Sequence, residues 1–480
     1  MASQRSPFVT LIAAYLGLFV GLVDANAVNL ALPAIGEDLG GGMTGAQWTI
    51  DAYNVTFAAL LLTAGSLGDR FSRRRMLRIG LATFVAASIA CALAPSLPLL
   101  LVSRAVQGVG AAMMLPQGLA IAAAVHPDPR GRARATAGWA MAAASSTALG
   151  PVLGGVLAES IGWRWIFWVN VPIGLLALVL SVSHLPDSRD PDAARVDLPG
   201  QCLAIAALGA VTLVLVEGHD WHWRQTAAIG AIAAALLAAF LTAQHRSPHP
   251  MLPPDLFGSR RLVGALLATF AMTFGIYGLL LVNSFAFQQL RGSGALATAV
   301  WFLPMAVTYL LLIPAANLIA RRTGPRLPMT AGLAMMAAGS LLYAGAGPLA
   351  DVGWLELSFV LAGTGLALTT GPAVTLAMET ISPGRTGLAA GVVNLARLLG
   401  ITVGVAVLGS AMTVVGGADG VRTALVAGAG CQLVGAAVAP VADAAGIGPG
   451  VPSRPYRREG VMSCVKHRNW RRRPRWTSLR

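Results

Sequence analysis

Charge is what this sequence lacks most. Only 11% of its 480 residues are Asp, Glu, Lys or Arg, against 56% hydrophobic residues, and the mean hydropathy is +0.68. A soluble chain of this length needs far more charge to cover its surface, so the balance excludes a soluble globular protein and points to a polytopic membrane protein. Lysine is nearly absent: Lys466 is the only one among 34 basic residues, an arginine bias that suits a GC-rich bacterial coding sequence. That lysine has no Gly-rich context for a phosphate loop, and no HExxH helix signature is present, so neither a nucleotide-driven pump acting alone nor a zinc hydrolase is expected. No enzymatic activity is expected. Cysteine is scarce too, and Cys91, Cys202, Cys431 and Cys464 show neither paired nor metal-ligand spacing. They imply no disulfide framework and no metal or other cofactor, and Cys91 and Cys202, lying in apolar runs, are expected as small core residues.

The net charge of +14 invites a nucleic-acid reading, but residues 454 to 480 hold ten of the basic residues and one acid, Glu459, so +9 sits in the tail and +5 elsewhere. Nucleic acid is not an expected partner. What fills the rest is about fourteen apolar segments, each near the roughly 20 residues a helix needs to cross about 30 Å of hydrocarbon. They lie near 9 to 33, 48 to 67, 78 to 95, 98 to 124, 134 to 157, 164 to 184, 200 to 217, 225 to 244, 262 to 290, 297 to 319, 328 to 347, 354 to 379, 386 to 415 and 422 to 441. Alanine, leucine, glycine and valine dominate them, and the alternation of a membrane barrel is absent, so an all-α integral membrane fold is expected. A cleaved signal peptide is the rival for the first segment, with Ala25-Asn26-Ala27 as a small-residue cleavage site, but the run exceeds a typical signal core.

Arginines alternate between the loops. Turns after even-numbered segments carry Arg70, Arg73, Arg74 and Arg75, then Arg130, Arg132 and Arg134, then Arg260 and Arg261, then Arg321, Arg322 and Arg326, whereas the others hold isolated Arg164, Arg224, Arg291 and Arg422. The positive-inside rule then places both termini in the cytoplasm, with the chain in the plasma membrane. Asn317 to Met329, "NLIARRTGPRLPM", aligns on "SLGDRFSRRRML" with an offset of 252, setting Arg322 on Arg70 and Gly324 on Ser72. Internal repeats of this kind are a transporter feature. The organisation read from these patterns is a six-helix bundle over 1–184, linkers and two extra helices over 185–261, a second six-helix bundle over 262–441, and a basic tail over 442–480. For the tail two readings stand open: a cytoplasmic segment binding anionic lipid, or a frameshifted terminus, judged on the loss of helical pattern after about Gly428.

These residues carry a resemblance. "GSLGDRFSRRRML" resembles the loop signature of the major facilitator superfamily, with Ser72 where glycine is usual, a substitution expected to restrict a turn of positive φ. "DANAVNLALPAI" from Asp24 resembles the first-helix signature of its fourteen-helix drug:proton antiporter branch, with Asn26 in place of threonine. "SRAVQGVGAAMMLP" from Ser103, "ALGPVLGGVLAESIGWRWIFWVNVPIG" from Ala148 and "GLAAGVVNLARLLGITVGVAVLG" from Gly387 resemble the fourth-helix, antiporter and thirteenth-helix motifs. The resemblance implies two pseudo-symmetric six-helix bundles plus two inserted helices, alternating access, and proton-driven efflux of drugs, antibiotics or related hydrophobic molecules. The proton gradient would be the energy source, and a monomer in the lipid bilayer is expected. Proton-coupled uptake of a small metabolite is the alternative.

Each motif also has its own physics. Asp24 is the only acid within the first apolar helix, and a carboxylate there must face a cavity, pair with a cation or take up a proton; capping a helix end near water is the bland alternative. Arg104 keeps its charge, so it needs an acid, carbonyls or water, or else it snorkels to an interface. Asp24 is thus a candidate to bind the coupling proton or a cationic substrate, the resemblance gives Arg104 a role in proton coupling, and Asn29, five residues after Asp24, joins them as a substrate candidate. In the second half Arg397, one turn after Asn394, is the corresponding candidate, while Glu217 and Glu379 read as interfacial. Asp51, Tyr53 and Asn54 fit either a vestibule or an interfacial belt with a solvated Asp51. Gly65, Asp69, Arg70 and Arg73 form a gating-loop candidate, with Asp69 positioned to pair with arginine. Gly150, Pro151, Gly154 and Gly155 leave one helix face bare for close packing with the opposite bundle. Trp163, Trp165, Phe167 and Trp168 read as an interfacial belt.

Overall fold

A computed structural model describes residues 7–125, 129–185, 197–348, 351–380 and 386–441. Among them run fourteen α-helices and no strand: α1 Pro7–Leu39, α2 Gly42–Phe71, α3 Arg73–Ala92, α4 Leu97–Val125, α5 Pro129–Ser160, α6 Arg164–His184, α7 Leu198–Glu217, α8 Trp223–Arg246, α9 Arg260–Phe285, α10 Ala295–Thr323, α11 Arg326–Ala346, α12 Val352–Thr380, α13 Thr386–Val415 and α14 Gly417–Val441. All fourteen contain a stretch long and apolar enough to cross a membrane. The helices outrun the apolar segments because their polar ends continue the hydrogen-bonded spiral: α1 extends to Leu39 and α2 begins at Gly42. α14 continues through Gln432, which is fully buried. The tail readings, the side chains of Arg130 and Arg132, and Cys464 lie outside the described residues.

Helix pairing makes the repeat visible. In the first six helices α1 packs on α4, α5 and α6, α2 on α4, and α3 on α4 and α6; in the last six the same pairings recur as α9 on α12, α13 and α14, α10 on α12, and α11 on α12 and α14. The two bundles meet along α2 with α13, α5 with α10, and α1 with α9. α7 and α8 pack on each other, and α7 also seats on α2 and α13. Gln201 anchors it, donating to the Ala59 carbonyl at 2.9 Å and accepting from the Thr63 hydroxyl. α8 presents Ile232, Leu237 and Leu241 outward, as a helix with lipid for a neighbour can.

Among the described residues, the hydrogen bonds that join the bundles lie at one side, that of the α1–α2 turn. Gln47 donates to the Val405 and Ala406 carbonyls at 3.1 and 2.8 Å, Ser284 to Asn29 O at 3.0 Å, Gln288 to Leu30 O at 3.1 Å, and the Leu296 amide to Glu159 at 2.7 Å. All of these residues lie in the helix halves away from the arginine-bearing turns, and among the described residues no hydrogen bond joins the bundles at the arginine side.

The small-residue face of α5 divides its work. A Cβ added at Gly150 would meet Asn26 Cβ and Val23 O, and one at Gly154 would strike the Ala27 backbone, with Cα at 2.8 Å; both therefore press on α1 of the same bundle, not on the opposite one. Of these glycines only Gly155 faces across, against Ala295 O at 2.7 Å and Ala299 Cβ at 2.6 Å on α10. The expected seam is thus half internal. Because the obstacle at Gly154 is backbone, Gly154→Leu should lower the folded yield and the apparent Tm in detergent, in line with an overpacking cost of about 1–3 kcal/mol or more. Gly209→Leu, with open space around it, should leave both unchanged; size-exclusion profiles and thermal unfolding of the two variants check this.

Candidate functional site

Asp24 of α1 and Arg104 of α4, singled out separately from the sequence, form a charged pair. Asp24 Oδ2 accepts from Arg104 Nη1 at 2.5 Å, with side-chain exposures of 0% and 2%. Neither caps a helix end nor snorkels, so both bland readings fail. Asp24 Oδ1 accepts two further bonds, from Gln107 Nε2 at 3.0 Å and Asn170 Nδ2 at 2.7 Å. Arg104 also donates through Nε to Thr49 O at 3.0 Å and through Nη1 to Gln107 Oε1 at 2.6 Å. Its guanidinium lies 4.6 Å from the Tyr53 ring centroid and 5.7 Å from that of Phe167, where cation–π attraction adds to the pairing. Gln107 closes the network with a 2.9 Å bond to Ser88. Five helices, α1, α2, α3, α4 and α6, each contribute a polar group to it.

Beside this cluster two cavities lie between the bundles and share Asn26, Tyr277 and Arg397 in their walls. One is completed by Thr147, Pro151, Tyr309 and Thr370 among others, the other by Asn29, Tyr53, Asn54 and Asn394. Asn29 donates to Ala25 O at 3.0 Å and leaves its Oδ1 without a partner. Tyr53 belongs to both regions, stacking on Arg104 and lining a cavity wall. Asp24 and Arg104 do not line either cavity.

The arginine-rich turn is local. Arg73 pairs with Asp69 at 2.7 Å, spanning the α2–α3 turn, and Arg70 lies 5.7 Å from the Phe71 ring. Gly65 lies 4.0 Å, measured from an added Cβ, from Pro116 of α4. Ser72 caps α3 by accepting from the Arg75 amide at 3.1 Å, and its φ of 168° is extended backbone, so this turn needs no glycine. The equivalent Gly324 takes φ 81°, where glycine is favoured. Arg74 and Arg78 bind carbonyls at the end of α6, Leu185 at 3.2 Å and Ser181 at 2.8 Å. The arginines of this block therefore fasten helices as well as marking a side.

Other expectations are corrected. Asp51 is not solvated: it is fully buried, and neither carboxylate oxygen has a hydrogen-bond partner. Trp163 and Phe167 are buried at 5% and 0% exposure, Trp163 donating to Asp38 at 3.0 Å, which leaves the exposed Trp165 and the half-buried Trp168 for a belt. Tyr53 is buried rather than interfacial. Cys91 is buried, but Cys202 is exposed, so it is no core residue. Glu217 accepts from the Trp48 indole at 2.8 Å. Gln107, Asn170, Tyr277 and Tyr309 were not singled out from sequence. Gln107 and Asn170 carried a usable signal, since an amide inside an apolar helix must find a partner; the tyrosines carried none.

The pair's energetics can be measured. Asp24→Leu strands a buried guanidinium, a loss of about 3–5 kcal/mol, and should lower the apparent Tm in detergent. Adding Arg104→Met removes the stranded charge and should recover most of the loss; a double variant no more stable than the single one contradicts this account.

Residues 14–405 match the Major Facilitator Superfamily. The chain is 36% identical over 411 residues to the multidrug resistance protein Stp of Mycobacterium tuberculosis, covering 85% of this chain and 76% of that one. It is 32% identical over 400 residues to the methylenomycin A resistance protein of Streptomyces coelicolor, with 82% and 83% covered. Among solved structures, peptide transporter POT in complex with sulfate matches with a TM-score of 0.68 at 17% identity, covering 92% and 94% of the two chains. A bacterial homolog of the human lysosomal transporter Spinster, in an inward-facing and unoccupied conformation, matches with a TM-score of 0.64 at 17% identity, covering 92% and 98%. At such identities the structures show a shared fold alone. With fourteen spanning helices, a repeated six-helix pairing and motifs at both ends of the matched region, this multi-pass membrane protein is a transporter and not an enzyme, and it belongs to the major facilitator superfamily.

Proposed function

We propose that this chain exports drugs, antibiotics or related hydrophobic small molecules from the cell in exchange for protons. The observation that carries the reading is a fully buried carboxylate, Asp24, held by Arg104 and linked to the inter-bundle cavity through Tyr53. Protonation of Asp24 cancels the charge that holds Arg104. The guanidinium then shifts its bonding toward Thr49 O and Gln107 and changes its contact with Tyr53, whose ring forms part of the cavity wall. A proton taken up at Asp24 and a substrate held against Tyr53 thereby affect each other without touching, the reciprocal coupling that antiport requires. Relatives named for multidrug and methylenomycin A resistance support export as the direction.

With the arginine-bearing turns and both termini on the cytoplasmic side, the hydrogen-bonded seam lies outside. The structure then corresponds to an inward-facing state of the alternating-access cycle, and the chain works as a monomer in the plasma membrane. Opening outward requires the Gln47, Ser284 and Gln288 bonds to break and the arginine side to close.

Proton flux in inside-out vesicles tests the reading. Adding lipophilic antibiotics to vesicles with an established gradient should trigger proton release through the wild type, and Asp24→Asn should abolish the response, roughly a hundredfold or more in rate. Undiminished substrate-triggered release from Asp24→Asn removes Asp24 from coupling. A reducible bifunctional thiol reagent joining cysteines placed at Glu159 and Leu296, whose side chain and amide now bond at 2.7 Å, should stop transport until it is reduced.

A further inference from the structure

The two bundles handle charge differently. In the first, Asp24 and Arg104 neutralise one another. In the second, Arg397 stands on α13 with its guanidinium directed to the cavities, and its side-chain hydrogen bond is a long one to a neutral group, the Tyr277 hydroxyl at 3.4 Å. No residue in the wall of either cavity is acidic. Asp24 is committed to three donors elsewhere. A guanidinium cannot shed its charge, offers five donors, and at this depth is costly unless an anion or acceptors meet it.

The groups around it fit the same ligand. Tyr277, Tyr309, Asn394 and Asn26 share the cavity walls with Arg397 and can all donate hydrogen bonds, while Met272, Leu280, Leu366 and Ile401 supply apolar surface. A cationic head would meet an uncompensated like charge there, with no carboxylate to receive it. We infer that the cavity at Arg397 binds amphiphiles with an anionic head, a carboxylate or an ionised enol or phenol, and an apolar body. Arg397 pairs with the head, bidentately where the ligand is a carboxylate. This rests on the reading of the cavity as the substrate site and narrows its substrate class to acids, away from lipophilic cations.

Equilibrium binding to the purified chain in lipid nanodiscs, at neutral pH and without a gradient, tests this independently of proton coupling. The probes are 1-pyrenebutyrate, its methyl ester and the matching pyrenebutyl-trimethylammonium ion, which share one apolar body. The carboxylate should bind at least tenfold more tightly than the ester, and the ammonium ion more weakly than either. Arg397→Gln should erase the preference for the carboxylate while leaving ester binding within about twofold, and Arg397→Lys should keep a reduced preference. The ranking among probes on the wild type needs no variant, so a misfolded Arg397→Gln does not remove the test. Equal binding of acid and ester, tighter binding of the ammonium ion, no binding of any probe, or an unchanged preference in a folded Arg397→Gln protein overturns the inference. Loss of proton coupling in the vesicle assay, with the acid preference intact here, would instead count against the antiport reading alone.

Discussion

The cost of putting charge inside a membrane organises this molecule. An ionised side chain away from water must be paired or must serve a purpose, and the Asp24–Arg104 pair does both. Five helices of the first bundle converge on it, each offering an amide, hydroxyl, carbonyl or ring, so the network also determines how those helices sit. The three bonds received by Asp24 and those that Arg104 gives to Thr49 O and Gln107 make a pair with 0% and 2% exposure tolerable. The same convergence makes it responsive, since one added proton at Asp24 unbalances several bonds at once.

Close packing allows the pair to sit where it does. Gly150 and Gly154 bring α5 against the backbone of α1 in the turns around and after Asp24, and Gly108 brings α4 against the Tyr53 carbonyl and Thr56 of α2. Small residues let helix backbones approach in lipid, where the hydrophobic effect does not drive one apolar helix onto another. Between the bundles, close packing such as that of Gly155 on α10 is joined by a second kind of contact. There, side-chain amides and hydroxyls reach backbone carbonyls, as with Gln47 on Val405 and Ala406 and Ser284 on Asn29, and such bonds can be exchanged for others without unfolding either bundle. Rigid halves joined by replaceable bonds are what a rocking motion needs.

Although the two halves repeat each other in helix pairing, they do not repeat in charge. α9, the counterpart of α1, contains no acid, and the charge that the second bundle sets in the cavity walls is Arg397 on α13, the counterpart of α5. The Asp24–Arg104 pair and the unneutralised arginine thus belong to different bundles, with Tyr53 and Asn26 reaching the cavity from one side and Tyr277 and Arg397 from the other. Movement of one bundle against the other changes the spacing between these two groups.

Much of this was determined by the sequence by itself, and for physical reasons. Helix number follows from apolar length, because lipid forces every backbone group to bond within its own segment; the repeat survives as an offset of 252 between basic turns; and Asp24, Arg104 and Arg397 stand out because charge in an apolar run is expensive. Side-chain partners were decided only by the tertiary structure. That Gln107 and Asn170 close on Asp24, that Asp51 is buried without a partner, that Trp163 turns inward to Asp38, that Gly154 faces α1 rather than the opposite bundle, and that Tyr277 meets Arg397 all depend on helix rotation about the long axis. A helix surrounded by lipid on one side and equally apolar neighbours on the other has little amphipathic pattern from which that rotation can be read, and only packing fixes it.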